Sequence, residues 1–347
     1  MAHKLVLFSL FLFVGSILFA LTVDQGNVRL VVNDKSGRFS LFQTRSLEKP
    51  DYRPLFVAND PTTSQWRVLI NKKMSILGDS SLFTTGVEKL DGGAKISWTS
   101  TELAVTMRLQ FLQATAEAKV VGLRIDVDFL NTGAEALDVG LRWLLDTNLG
   151  EKKDHFFLPD GTAINGERSL IPPYPAFWSS SSPTEDDLGL HVFLGGACTP
   201  PQQVIFANWK RLKDAPWSFD VQTGREFNLL PYSYNDSAVL QLYPIQTLEA
   251  KGTRRVTTEI SLRNIKSLDD TLVVTANPID ALLTSASNPA LSSVDQDLAT
   301  VDNLLKQIDV ALKNPGQASA DDVRLLKAVL DQIESRRKTL TPETPQP

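Results

Sequence analysis

Three consecutive stretches in the middle of this chain alternate apolar and polar residues at a strict period of two. They span residues 103–111, 121–129 and 137–145. Successive side chains of a β-strand point to opposite faces, so this period predicts strands with one face on a core and the other in water. The pattern therefore constrains the chain to a mainly β, antiparallel architecture.

Further strand-like segments surround these three and are separated by turns rich in Gly, Asn and Asp. They are residues 28–32, 38–42, 66–70, 95–98, 190–194, 204–207, 239–243 and 256–262. Gly, Asn and Asp tolerate the backbone conformations that tight turns require. Because no helix-like segment lies between the strands, the pattern predicts one large antiparallel β-sandwich, or supersandwich, over residues 21–280.

The strands at 121–129 and 137–145 are expected to pair with each other as a hairpin. Of the two registers considered, one sets Arg124 opposite Arg142, which is repulsive. The other sets Asp126 opposite Arg142, which is attractive. We therefore expect Asp126 and Arg142 to be neighbours on the outer face of the sheet.

The amino terminus has the pattern of a secretory signal peptide over residues 1–20. A short basic start is followed by an apolar run from Leu5 to Leu21, and Ala20 is a suitable residue before the cleavage site. Leu18, two residues before Ala20, is larger than the residue usually preferred at that position. The length of the apolar run lies at the lower edge of what a membrane span needs, so an uncleaved anchor is the alternative. Either reading predicts export to the periplasm or cell envelope, with membrane contact only through such an anchor.

Charge and cysteine content exclude some classes of function and bonding. The formal net charge is −5 and the basic residues are scattered, whereas nucleic acids require clustered Lys and Arg. Nucleic acid is therefore not expected as a partner. Cys198 is the only cysteine, so no intramolecular disulfide can form, and we expect it to be a small buried apolar residue.

Near residue 285 the periodicity changes to that of amphipathic helices. Aliphatic residues recur at three- and four-residue spacing up to Leu312, and again from Val323 to Ile333, on either side of Asn314-Pro315-Gly316. This predicts a helical hairpin over residues 288–340 and a disordered tail over 341–347. The hairpin either packs on itself or the sandwich, or it docks a partner and forms a homo-oligomer through residues 290–340.

A polar loop follows the strand that ends near Leu145. Its oxygen-bearing residues and its histidine are candidate ligand-binding residues: Asp146, Asn148, Asp154 and His155. Oxygen-rich loops can bind Ca²⁺, although the spacing between Asp146 and Asp160 lacks the regular Asp ladder of a calcium loop. The alternative is that Asp146 and Asn148 bond main-chain N–H groups of the loop.

Tryptophans in segments rich in Pro and Ser form a second group of candidates. Trp178, Trp209 and Trp217 are assigned to loops, where aromatic rings can stack on sugars or dock partners. They can equally close the ends of the sandwich. Trp143 lies at an inward position of its strand and is assigned to the core.

The polar loop and its strand also resemble a motif of secreted bacterial β-sandwich modules, GLR-x-x-x-DT-x-LG followed by an Asp and a Phe. The matching residues are Gly140, Leu141, Arg142, Asp146, Thr147, Leu149, Gly150, Asp154 and Phe156. Four other pieces resemble the same modules: Gly37-Arg38-Phe39-Ser40, Asn208-Trp209, Pro216-Trp217 and Tyr234-Asn235-Asp236-Ser237-Ala238-Val239, which leads into a strand. The resemblance implies a fold similar to the galactose-mutarotase-like supersandwich, and it implies fold and compartment more than activity.

These observations favour an exported, non-enzymatic binding or structural component of the periplasm or cell envelope. Its expected partner is a glycan or an envelope protein, and no cofactor and no catalytic residue are assigned. The alternative is a carbohydrate-active enzyme, mutarotase-like or glycosidase-like, on the same fold. Such chemistry needs an acid and a base across a sugar ring, for which His155 or His191 with a carboxylate would serve.

The signal peptide gives the first testable prediction. The basic start and apolar run should direct export and cleavage, so the mature chain should begin near Leu21. N-terminal sequencing of the native protein measures this directly. An intact Met1 in the membrane fraction would favour the anchor instead.

Overall fold

The computed structural model describes residues 20–57, 61–113, 120–149, 156–185, 187–263 and 273–274. These residues form twenty strands and one short helix, α1 (Trp209–Asp214). The strands are β1 (Ala20–Gln25), β2 (Val28–Asn33), β3 (Phe39–Gln43), β4 (Arg53–Pro54), β5 (Gln65–Ile70), β6 (Lys73–Ile76), β7 (Thr84–Leu90), β8 (Gly93–Thr99), β9 (Leu103–Gln113), β10 (Val120–Asn131), β11 (Leu137–Leu145), β12 (Phe156–Phe157), β13 (Ala163–Ile164), β14 (Arg168–Leu170), β15 (Phe177–Ser181), β16 (Gly189–Phe193), β17 (Gln203–Asn208), β18 (Ser237–Leu248), β19 (Thr253–Leu262) and β20 (Val273–Val274).

The strands form two large antiparallel sheets and a small third one. The ten-stranded sheet has the order β13-β12-β15-β16-β19-β10-β9-β8-β7, with β20 also paired to β9. The six-stranded sheet has the order β14-β17-β18-β11-β5-β6, and the four-stranded sheet has the order β1-β2-β3-β4. The predicted mainly β, antiparallel sandwich is therefore confirmed for the described residues.

The inner faces of all three sheets contribute to one hydrophobic core. Leu123 and Ile125 of β10 and Leu141 of β11 belong to the same buried cluster. Each such aliphatic side chain stabilises the fold by roughly 1.5–3 kcal/mol when fully buried. Trp143 lies in this core, as expected, and stacks on Trp66 of β5 with ring centroids 4.7 Å apart.

The expectation that all three alternating strands face water on one side is correct for β9 and wrong for β10 and β11. In β9 the polar positions are partly exposed, whereas most residues of β10 and β11 are buried on both faces. On β10 the outer face carries Arg124 and Asp126, which are buried together as an ion cluster. The outer face of β11 is covered by α1 and the segment that follows it.

The expected hairpin between β10 and β11 is also wrong. β10 pairs with β9 and β19, while β11 pairs with β18 and β5 in the other sheet. Asp126 therefore lies opposite Arg108 and Thr257, and Arg142 lies opposite Arg67 and Leu242. The expected register required β10 and β11, which are consecutive in the sequence, to lie in the same sheet. The chain between them instead crosses from one sheet of the sandwich to the other.

The side chain of Asn131 holds this crossing in position. It is fully buried, and its amide nitrogen donates to the carbonyl oxygens of Glu135, Leu248 and Glu249 at 2.7, 2.9 and 3.1 Å. Its amide oxygen accepts from the main-chain N–H of Gly133 at 2.9 Å. The turn between the sheets is thereby fixed by one side chain.

The outer face of the six-stranded sheet is covered by residues 209–221, and two arginines hold them there. Arg142 is fully buried and donates to the carbonyl oxygens of Leu212, Ala215 and Pro216, the last at 2.7 Å. Arg67, directly opposite on β5, donates to the carbonyl oxygen of Lys213 at 2.8 Å. Burial first, and then repulsion from Arg67, lower the pKa of Arg142 to about 10.

Apolar contacts complete this cover. Leu212 of α1 joins a second buried cluster with residues of β11, β17 and β18, against which Trp209, Trp217 and Phe219 pack. The ring of Trp217 lies so close to Gly140 that a Cβ atom there would be 2.6 Å from Cζ2 of the ring. Only glycine fits at this position of β11.

Two predicted segments lie outside the described residues. They are the apolar run before Ala20 and the helical hairpin of residues 288–340 with its tail. Both stay predictions. Within the described part of the chain, no helix has the length and apolar character needed to cross a bilayer.

Replacing Arg142 tests whether this buried cation secures residues 209–221. Arg142→Met should lower the free energy of unfolding by about 3 kcal/mol, because three carbonyl oxygens lose their donor. Urea unfolding at pH 7 measures the change. Arg29→Met, which removes an exposed ion pair with Asp24, is the control and should cost at most about 1 kcal/mol. Equal midpoints for the two variants would contradict the role of Arg142.

Candidate functional site

Three of the seven residues proposed for ligand binding lie around one end of the six-stranded sheet. Leu145 pairs with Val239 and Asn208 pairs with Ser237, so the residues that follow β11 and β17 emerge at the same end. Asp146, Asn148 and Trp209 are thereby brought to this end. The sequence alone could not show this, because they come from separate strands.

The described part of the polar loop is joined to residues 55–64. Main-chain bonds run from the N–H of Val57 to the carbonyl oxygen of Asp146 at 3.3 Å, and from the N–H of Asn148 to that of Leu55 at 3.0 Å. The N–H of Asp146 donates to Oγ of Ser64 at 2.9 Å. Asp146 is buried and Asn148 is exposed, so of these two only Asn148 is open to a ligand.

Asp154 and His155 lie outside the described residues, so their ligand role stays a prediction, as does the calcium site. Among the described residues, no group of three or more His, Cys, Asp or Glu side chains is arranged to hold a metal ion.

The three candidate tryptophans have different environments. Trp178 was assigned to a loop, which is wrong: it lies in β15, fully buried, with its ring 5.6 Å from that of Phe156. The loop assignment of Trp209 is also wrong, since it is the first residue of α1; it is half-buried and donates from Nε1 to the carbonyl oxygen of Thr63 at 2.9 Å. Trp217 packs on Gly140 and, like Trp209, against the second buried cluster.

The scattered motif pieces have a common structural role. Gly140 and Arg142 receive Trp217 and the main chain around it, while Asn208 caps α1. Asn208 also pairs with Ser237, the start of β18. These three motif residues therefore attach residues 209–221 to the sheet.

Sequence reasoning missed a second surface, the outer face of the ten-stranded sheet. At its centre Arg124 contacts Asp126 at 3.1 Å and Glu259 at 3.2 Å, and all three side chains are buried. Oγ1 of Thr257 donates to Asp126 at 2.6 Å. Two carboxylates and one guanidinium give this cluster a formal charge of −1 when both acids are ionised.

A second ion cluster adjoins the first on the same face. Asp128 accepts from Arg255 at 2.5 Å and also pairs with Arg108. These side chains are partly exposed and carry a formal charge of +1. The two clusters together balance, so the centre of the face offers both donors and acceptors without net charge.

Aromatic residues and a histidine border the buried cluster on the same face. Phe177 and Phe193 lie opposite each other on β15 and β16, with ring centroids 5.7 Å apart, and the His191 ring is 4.5 Å from that of Phe177. All three are half-buried. His191 and Glu259 lie on adjacent strands, since His191 is opposite Ser261. Such diagonal neighbours are about 7–8 Å apart.

Burial shifts the pKa values of Glu259 and His191 in opposite directions. It raises the pKa of Glu259, with Arg124 opposing and Asp126 adding to the shift. It lowers the pKa of His191, whose Nε2 lies 3.3 Å from the carbonyl oxygen of Arg263. At neutral pH the imidazole is uncharged, so it can accept a proton, while Glu259 holds its proton more strongly than an exposed glutamate.

Cys198 lies beside this cluster and is buried, as expected from the sequence. Burial, with a further contribution from Glu259, raises the pKa of its thiol well above the ordinary value. The thiol is therefore neutral and is not a nucleophile.

Charged residues at every second position could have revealed this face. Arg124, Asp126 and Asp128 alternate with core residues on β10, and Arg255 and Glu259 do so on β19. A merely solvated face does not require such regular pairing of opposite charges on adjacent strands. The signal lay in two segments far apart in the sequence, and only their pairing makes it visible.

Comparison with models of known families finds no match, and comparison with curated proteins finds none either. Solved structures give low similarity. A galactose mutarotase-like protein from Lactobacillus casei is 11% identical to this chain, with a TM-score of 0.45. The match covers 71% of this chain and 100% of that protein. Another from Clostridium acetobutylicum is 8% identical with a TM-score of 0.39 and covers 71% and 95%.

A TPR-domain containing protein from Parabacteroides distasonis is also similar, at 11% identity and a TM-score of 0.44. The match covers 94% of this chain and 72% of that protein. These likenesses concern the general fold, and the functional argument rests on the residues of this chain. The resemblance of the GLR motif to secreted modules stays a prediction.

The raised pKa of Glu259 predicts a pH-dependent stability. Below the ordinary value of 4.5 both folded and unfolded chains hold the proton. As the pH rises above it, the unfolded chain releases the proton first, so unfolding becomes easier until the folded carboxyl also ionises. The free energy of unfolding of the wild type, relative to Glu259→Gln, should therefore fall through this window and then level off.

Urea unfolding between pH 4.5 and 8 measures this difference. Glu88→Gln, which changes an exposed carboxylate of the same sheet, is the matched control. The difference in the free energy of unfolding between the wild type and Glu259→Gln could instead stay level over the whole pH range. That result would contradict burial as the main cause of the raised pKa of Glu259.

Proposed function

We propose that this protein is an exported, non-enzymatic component of the periplasm or cell envelope that binds carbohydrate on the outer face of its ten-stranded sheet. The observation that carries the proposal is the pair of half-buried rings, Phe177 and Phe193, beside the buried Arg124, Asp126 and Glu259. Export rests on the signal-like residues 1–20.

This combination suits the chemistry of sugars. A sugar ring has apolar C–H faces, which pack on aromatic side chains, and hydroxyls, which bond charged donors and acceptors. Phe177 and Phe193 offer the first kind of contact, and His191 with the partly exposed cluster of Asp128, Arg108 and Arg255 offers the second. Because the sheet fixes these side chains, little freedom is lost on binding.

The pairing of charges favours binding over catalysis. Arg124 is shared between Asp126 and Glu259, and Thr257 also donates to Asp126. Carboxylates held in this way are tied to protein donors, so they are less free to transfer protons to a substrate. The helical hairpin of residues 290–340 would then supply docking or oligomerisation.

A carbohydrate-active enzyme is the second candidate, and one observation favours it. His191 and Glu259 are neighbours on one face, and burial shifts their pKa values in opposite directions. A carboxyl group with a raised pKa beside a neutral imidazole can supply the acid and the base that general acid–base catalysis on a sugar requires. A mutarotase-like activity would need the neutral imidazole, so its rate should fall as the pH drops through the lowered pKa of His191.

Calorimetric titration with soluble glucans, galactans and peptidoglycan fragments tests the proposal. At least one should bind, and Phe193→Ala should weaken that binding about tenfold, which corresponds to about 1.4 kcal/mol. Phe219→Ala, which changes a half-buried ring on the opposite sheet, should leave it unchanged. Equal losses in the two variants, or no binding to any of these sugars, would contradict the proposal.

The same samples separate binding from catalysis. Exchange of sugar anomers, followed by proton NMR, should proceed no faster with the wild type than without protein. Acceleration that disappears in His191→Gln would favour the enzyme instead.

A further inference from the structure

A group of large apolar side chains projects from the loop between Phe227 and β18. Leu230, Tyr232 and Tyr234, here called the tip, are 73%, 73% and 72% exposed. These three residues lie within five positions of the chain, and groups of exposed apolar side chains mark interaction sites.

The loop that carries the tip is held by hydrogen bonds. Leu229 and Ser233 exchange main-chain bonds of 2.9 Å in both directions, and the N–H of Asn235 donates to Oδ1 of Asn228 at 2.7 Å. The amide nitrogen of the fully buried Asn208 donates to Oγ of Ser233 at 2.8 Å. The tip is thus presented in one fixed arrangement, which lowers the entropic cost of binding.

The shape of the tip excludes a small ligand. Pockets for small molecules are concave and bury most of the ligand surface. Side chains that are nearly three-quarters exposed protrude, so they fit a partner that supplies the apolar surface around them. A macromolecule is therefore required.

Charge narrows the choice of macromolecule. The loop from Asn228 to Asp236 contains one acidic residue, Asp236, and no basic one. Anionic membranes and nucleic acids attract Lys and Arg, so they do not suit this loop. A protein surface with aliphatic residues next to basic ones does.

Such a surface is encoded in the chain itself. Four aliphatic residues, here called the stripe, recur at spacings of three and four: Val323, Leu326, Leu330 and Ile333. The basic run Arg336-Arg337-Lys338 follows after Glu334 and Ser335. The segment between Val274 and the stripe is about 50 residues long, and at about 3.3 Å per residue it can reach a neighbouring molecule.

We propose that the tip is the docking surface for the stripe of a second copy of this chain. Within the described part of the chain the tip stays exposed, and the oligomerisation role of residues 290–340 assigns its cover to a second copy. The inference rests on the oligomerisation role of residues 290–340 in the proposed function, and it names the surface to which they bind. Two copies that exchange stripes form a closed dimer with two identical contacts.

Sedimentation velocity on full-length chains at pH 7 tests the proposal with three variants. The tip variant is Leu230→Ser/Tyr232→Ser/Tyr234→Ser, and the stripe variant is Leu326→Asp/Leu330→Asp. The control, Leu47→Ser/Leu82→Ser, removes two other exposed leucines, which are 60% and 49% exposed.

The wild type and the control should be dimers, and each of the other two variants alone should be a monomer. An equimolar mixture of the tip and stripe variants should form a one-to-one dimer, because one chain keeps its stripe and the other keeps its tip. This dimer should be at least tenfold weaker than the wild type, since one contact remains of two.

Every other result overturns the proposal. A dimeric tip variant would show that stripes pair with each other, and a monomeric wild type or mixture would show that tip and stripe do not bind. If vesicles of phosphatidylglycerol bind the wild type and not the tip variant, the tip is a membrane contact. Sugar titration of the tip variant keeps the two proposals separate, because carbohydrate binding on the ten-stranded sheet should be retained whether or not the dimer forms.

Discussion

The burial of Arg142 is the constraint on which one whole side of the molecule depends. A guanidinium taken out of water must be matched by acceptors, and here main-chain carbonyl oxygens of residues 212–216 supply them. Those carbonyls are in reach only because α1 and the residues after it lie flat on the sheet. The arginine thus determines the position of the segment, and Trp217 against Gly140 determines its depth.

Buried charge organises the opposite side as well, with a different result. On the ten-stranded sheet the partners of Arg124 are side-chain carboxylates of neighbouring strands. A cation satisfied by main-chain carbonyls is locked into the structure. A cluster of ionisable side chains can in addition bond a ligand or exchange a proton. This difference is why the candidate site is assigned to the ten-stranded sheet.

The sequence predicted the strands well and their partners poorly. Alternation places Leu123 or Leu141 on the core side correctly, because the period of a strand is a local property. Pairing is not local: β10 finds β19 across about 130 residues, and β11 finds β18 across about 100. For the same reason the pairing of Asp126 with Arg142 failed, and the meeting of Arg124 with Glu259 could not be foreseen.

By itself the sequence determined that the described chain is an antiparallel β protein, that Trp143 is in the core and that Cys198 is buried. These properties follow from apolar periodicity and composition, which act on each segment independently. Only the tertiary structure decided that the polar faces of β10 and β11 are buried, that Trp178 is internal and that His191 adjoins Glu259. Those facts depend on which surfaces meet, because the desolvation of a charge or a ring is set by neighbours that lie far away along the chain.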